Sequence, residues 1–182
     1  MRTTEYIPEV GRFSDGVRRL LVASDDEFVP PLSAREGTTQ REGLADASGA
    51  DTEGVDRSIE AYHAQCVSQH LIVCHDGGEL RGFMSFRDGY RTPELDGFQP
   101  SNYVSTIVVA PEHRRRGVAR EMYERILSEL PSEIQSPYVT TRTWSTNRSH
   151  LSLLEKLGFE NVATLPDDRG DGIDTVYYAI ER

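Results

Sequence analysis

Apolar residues recur along this chain at two spacings, one helical and one extended, and their order lays out the elements. Phe13, Val17, Leu20 and Leu21 share one face of a helix expected from about Ser14 to Ala23, with Ser14 as its N-cap. A polar stretch follows, Asp25 to Asp56, which holds Pro30 and Pro31 and few apolar anchors. It reads as a solvated loop or as a lid on the substrate side. Ile59, Tyr62 and Cys66 mark a second helix, from Arg57 to Ser68. The run His70 to His75 reads as a buried strand, Asp76-Gly77-Gly78 as a hairpin turn, and Leu80 to Phe86 as the partner strand with a bulge at Gly82.

Arg87 to Pro100 reads as a loop, and Tyr103 to Val109 as the clearest strand of the chain. After a basic turn, Val118, Met122, Ile126 and Leu130 lie four apart and bury one stripe of a helix that Pro131 stops. Tyr138 to Trp144 is a strand. Asn147 to Leu157 is a helix, capped by Thr146 or Asn147 and ended by Gly158. Phe159 to Leu165 and Ile173 to Ile180 close the order as two strands. Strand–helix–strand units call for parallel neighbours and hairpins for antiparallel ones, so the expected fold is α/β with a mixed sheet. Length favours one domain, residues 1–182.

Charge narrows the partners. A formal net charge of −10 disfavours nucleic acid and anionic membrane surfaces and favours cationic partners such as amines. Lys156 is the only lysine, a bias that salt adaptation and a GC-rich genome explain equally well. Cys66 and Cys74 form no CxxC and read as buried thiols. Met1 to Val10 has no apolar core of a signal peptide, and no run approaches the roughly 18 apolar residues of a membrane span. The expected location is cytoplasmic, and no metal site is expected.

The chemistry concentrates in Val108-Val109-Ala110-Pro111-Glu112-His113-Arg114-Arg115-Arg116-Gly117-Val118-Ala119. A strand feeds a turn and the turn feeds a helix whose first amides lack intrahelical partners, a place where a pyrophosphate fits. The Walker and GxGxxG patterns are absent. The pattern present, Arg114-x-x-Gly117-x-Ala119, resembles the turn that wraps the pyrophosphate of acetyl-CoA in the GNAT superfamily of N-acetyltransferases. The segment from Asn147 to Lys156-Leu157-Gly158-Phe159 is similar to a later motif of that family. The resemblance covers about Tyr103 to the C-terminus and is topological before it.

That resemblance implies a largely antiparallel central sheet with a parallel V-shaped splay, and helices on both faces. It implies acetyl-CoA as co-substrate. Ile107, Val108 and Val109 would meet the pantetheine, Arg114, Arg115, Arg116, Gly117, Val118 and Ala119 would form the pyrophosphate turn, and Asn147 would touch the pantetheine arm. The implied function is transfer of the acetyl group to an amine by direct attack on the thioester. The alternative is a non-catalytic acyl-CoA-binding sensor of the same fold. Dimers are frequent in the family, so a homodimer is a further expectation.

One departure concerns catalysis. Many members carry a tyrosine that looks like the proton donor to the leaving thiolate, and this chain has Leu154 there. A thiol with a pKa of about 8.5 leaves without obligatory help. His150, Ser105 and Tyr178 are the candidate catalytic residues, each set against an ordinary structural role. Tyr103, Tyr177 and Trp144 are weighed the same way, as acceptor-side residues or as core.

Overall fold

The structure is a computed structural model that describes residues 1–35 and 52–182. Most of the expected loop from Asp25 to Asp56 lies outside the described residues. Seven strands form one sheet in the order β1-β2-β3-β4-β5-β7-β6. The strands are β1 (Arg2–Ile7), β2 (His70–Asp76), β3 (Glu79–Tyr90), β4 (Ser101–Val109), β5 (Tyr138–Trp144), β6 (Glu160–Leu165) and β7 (Thr175–Glu181). The helices are α1 (Ser14–Ser24), α2 (Thr52–Val67), α3 (Val118–Ser128) and α4 (Arg148–Lys156). β4 and β5 are parallel, and their pairing runs only from Ser101 and Tyr138 to Val104 and Thr141. β1 with β2, β5 with β7 and β6 with β7 are antiparallel. The expected mixed, largely antiparallel sheet with one parallel pair is what forms.

The chain divides into two compact units. The first holds Met1–Ser85 and Thr106–Arg125. Its core joins Phe13, Val17, Leu20 and Leu21 of the first helical segment to Ile59, Tyr62 and Cys66 of α2 and to Leu71, Val73, Phe83 and Val108 of the sheet. Residues alternate across a strand, so this cluster covers one sheet face and α3 the other. On that other face a Cβ at Gly82 would stand 2.9 Å from the Val108 carbonyl and 3.0 Å from Val118. Gly82 therefore permits a close approach between β3, β4 and α3. Cys66 and Cys74 are buried free thiols, as expected.

The second unit holds Phe86–Ser105 and Ile126–Arg182. Ala179, Tyr177 and Thr175 of β7 share a face, and Tyr178 and Ile180 share the other. α4 lies over the Tyr178 side, since a Cβ at Gly158 would stand 3.5 Å from Ile180 Cδ1. The helix ends as expected. Gly158 has φ +90, and the amides of Phe159 and Gly158 return to the carbonyls of Leu154 and Glu155, each at 3.0 Å. These two bonds and the buried Leu154–Phe159 pair make a Schellman ending.

Four expectations are corrected. β1 was missing, because its Thr, Glu and Tyr give no apolar stripe. It is an edge strand held by backbone pairing to β2. Ser14 does not cap α1, since the backbone is already helical at Phe13, and its hydroxyl meets His63 Nε2 at 3.3 Å. α2 starts at Thr52 rather than Arg57. β3 runs on to Tyr90, into the segment read as a loop.

Candidate functional site

In the first unit the turn after β4 is shaped by backbone. Arg115 has φ +59 and Gly117 φ +84, a left-handed conformation that suits glycine and strains arginine. Such turns gather successive N–H groups into an anion-binding concavity. The amide of Glu121 closes the first helical bond on the Gly117 carbonyl at 2.9 Å. The amides just before it in the first turn therefore have no intrahelical acceptor. Arg115 and Arg116 are exposed, and Val118 is buried as the seat of the helix.

Carboxylates near this turn are already engaged by cations. Arg2 bonds Glu121 through one nitrogen and donates through the other to the Arg116 carbonyl at 2.9 Å. Thr4 donates to the second Glu121 oxygen at 3.1 Å. Arg114 reaches back from the turn to Glu27, a two-pronged pair at 3.0 and 2.7 Å, while its Nε donates to the Val109 carbonyl at 3.1 Å. The Arg114 side chain thus ties the turn down, and the positive charge left facing outward belongs to Arg115 and Arg116. This donor set, free amides beside two exposed guanidiniums, fits a polyphosphate.

Thr106 faces inward from β4. Its hydroxyl meets the Tyr62 phenol at 2.8 Å and accepts from the Cys66 thiol at 3.6 Å, all buried. Ile107 and Val109 point the other way and are half-buried.

In the second unit Asn147 caps α4. Its Oδ1 accepts from the His150 amide at 3.4 Å and its Nδ2 donates to Thr143 Oγ1 at 3.0 Å. Leu154 is fully buried and belongs to the core. Burial holds the His150 imidazole neutral, with a pKa of about 4. Tyr178, on the α4 side of β7, is pushed above the ordinary phenol value by burial and then by the Glu155 carboxylate. Ser105 is half-buried on β4 and shares its face with Tyr103.

That last face joins Tyr103, Tyr177 and Trp144 to Arg142 and Tyr90, two residues that the sequence reading missed. Tyr103 is buried and stacks on Tyr90, ring centroids 4.3 Å apart. Arg142 on β5 stands directly opposite Tyr177 on β7. Burial and the neighbouring phenol raise the pKa of Tyr177, against the pull of Arg142, so the phenol stays protonated. Farther along the same face Arg169 lies 5.7 Å over the Trp144 ring. An arginine in mid-strand was the available signal. It points to a site only once β4, β5 and β7 are known to be neighbours.

Comparison with known proteins gives a consistent picture. Residues 41–159 match the model of the Acetyltransferase (GNAT) family. The chain is 28% identical over 123 residues to the N-alpha-acetyltransferase daf-31 of Caenorhabditis elegans, a match that spans 66% of this chain and 64% of that relative. Among solved structures it resembles yncA of Salmonella typhimurium, determined with its cofactor acetyl-CoA. There the TM-score is 0.64 and the identity 18%, over 100% of this chain and 94% of that one. It also resembles an N-acetyltransferase from Staphylococcus aureus, with TM-score 0.62 and identity 14% over 100% and 98% of the two chains. At such identities the structures establish the fold. No helix among the described residues is long and apolar enough to cross a membrane.

Proposed function

Because the chain belongs to the Acetyltransferase (GNAT) family, we propose that it transfers the acetyl group of acetyl-CoA to an amine. The observation that carries this reading is the turn after β4, with its left-handed Arg115 and Gly117 ahead of α3. The pyrophosphate binds the amides from Arg115 to Ala119, while Arg115 and Arg116 add charge from the rim. The strand edge at Ile107 and Val109 pairs with the pantetheine amides in the manner of an added strand.

The reaction is attack of the neutral amine on the thioester carbonyl. The carbonyl oxygen gains charge, the carbon–sulfur bond breaks, and the thiolate departs with the coenzyme. A backbone N–H at the end of β4 stabilises the oxyanion. Burial keeps Tyr178 protonated, which makes its phenol a candidate donor to the thiolate. His150, with a pKa of about 4, is about four units too weak to deprotonate an α-ammonium. It serves as a neutral N–H donor or a contact, and the ammonium loses its proton through water ordered near Ser105.

Calorimetric titration with acetyl-CoA tests the reading, comparing the wild type with an Arg116→Glu, Gly117→Asp double variant. The expected result is saturable binding by the wild type, weakened more than about 100-fold in the variant. That is close to the loss of two charge-assisted contacts at about 1.5 kcal/mol each. A folded wild type that ignores acetyl-CoA would remove the proposal.

A further inference from the structure

Arg142 is the cation of the second unit whose surroundings do not explain it. Register puts Arg142 beside Tyr177. Tyr103 pairs with Thr140, two residues before Arg142 and so on the same face. Tyr90 joins them by stacking on Tyr103. Burial works against the charge of the guanidinium, which bonds Tyr177 and has the phenols of Tyr103 and Tyr90 as further neighbours. Those phenols are neutral, because burial pushes Tyr90 and Tyr177 upward. They can accept a hydrogen bond from the guanidinium without cancelling its charge.

Five arginines elsewhere have carboxylate partners, while Arg182 of the same unit is held by the Ser136, Ile126 and Leu127 carbonyls. Arg2, Arg18, Arg81, Arg114 and Arg120 pair with Glu121, Glu60, Glu79, Glu27 and Glu124. None of the ion pairs among the described residues uses Arg142. With 30 acidic residues against 20 basic ones, a counter-ion was available. Withdrawing an ion from water costs several kcal/mol, and removing its partner leaves that cost uncompensated. A half-buried guanidinium that bonds the Tyr177 phenol, with the Glu94 carboxylate felt at that phenol and in no ion pair with Arg142, is short of a direct counter-ion until an anion arrives. Its planar fork matches a carboxylate in a two-pronged contact, and the Tyr103 and Trp144 rings on the same face supply apolar walls.

We propose that Arg142 receives a carboxylate carried by the acceptor, so that the acceptor is an amino-acid-like zwitterion rather than a simple alkylamine or polyamine. The inference rests on the acetyltransferase reading above and names the substrate class for it.

The test compares wild type with Arg142→Gln, which keeps side-chain N–H donors and loses the charge. Coenzyme A release from acetyl-CoA is measured with the free amino acids and with their C-terminal amides, after melting curves show both proteins folded. The expected result is a preference of about 30-fold in kcat/KM for an acid over its amide, the equivalent of about 2 kcal/mol. In the variant that preference falls below about threefold, because the acid slows while the amide holds its rate. Equal use of acid and amide by the wild type, or an equal loss of both in the variant, overturns the proposal. Calorimetry with N-acetylated amino acids and their amides reads the same contact without turnover. Acid-selective binding that Arg142→Gln abolishes, in a protein that acetylates nothing, would keep the carboxylate site and sink the transfer reading. Turnover of amines with no acid selectivity in either assay would do the reverse.

Discussion

The turn after β4 and the face around Arg142 both offer positive charge, and they are built by different means. At the turn the donors are backbone amides, set by Arg115 and Gly117 in left-handed conformations, and the nearby Arg2 and Arg114 are tied to Glu121 and Glu27. On the face around Arg142 the donor is one side chain, and its neighbours are phenols. A backbone site depends on what the chain can bend into and little on which side chains surround it. A side-chain site depends on the identity of one residue and on the register that holds it. The two therefore fail under different substitutions.

The largest effect is expected where the backbone site is seated. Gly82→Ala places a Cβ 2.9 Å from the Val108 carbonyl and 3.0 Å from Val118. The backbone oxygen cannot swing aside, so β4 or α3 must shift. Removing a strand glycine ordinarily stabilises by about 0.5–1 kcal/mol. Here the overpacking should win, with a net loss of about 2–3 kcal/mol in urea unfolding. Acetyl-CoA affinity should fall with it, because the displaced parts carry the turn. An alanine variant as stable as the wild type would show that the seat is soft.

Acid separates the two regions next, since side chains titrate in this range and amides do not. His150 has its pKa lowered by burial to about 4 from an ordinary 6.5. A depressed value means that the unfolded chain takes up the proton first. The contribution of the neutral ring is whole above about pH 6.5 and is lost as pH falls towards 4. His150→Gln should make the protein lose less stability over that window, on the order of 2 kcal/mol once partial exposure is discounted. Parallel stability curves for wild type and variant from pH 7 to 4 would contradict the buried neutral ring.

What could be read from the sequence follows the same division. The turn was legible because everything that makes it is contiguous: apolar strand, Arg114-x-x-Gly117-x-Ala119, then a stripe from Val118 to Ile126. The α4 ending was legible for the same reason, with Gly158 and Phe159 adjacent to the helix they close. Arg142 was not, although its strand was bounded correctly. Its meaning depends on Tyr103, 39 positions earlier, and on Tyr177, 35 later, being brought beside it by strand order. β1 escaped for a related reason. An edge strand with polar side chains is specified by the partner it pairs with, and that partner is β2, 64 or more positions away.

The smallest effect discriminates best between backbone and side chain at the turn. Arg115 holds φ +59, where a non-glycine residue is strained by about 1 kcal/mol. Arg115→Gly should relieve that strain, although the unfolded glycine gains entropy that offsets part of the benefit. The net change in stability should be within about 1 kcal/mol and favourable. If the amides do the binding, acetyl-CoA affinity should drop only about threefold to tenfold, the share of one exposed guanidinium in contact with phosphate. Arg115→Ala keeps the strain and loses the same charge, so it should bind as the glycine variant does while being less stable than it. A loss of 100-fold or more in both would mean that the Arg115 side chain, and not the turn it strains to form, holds the phosphates.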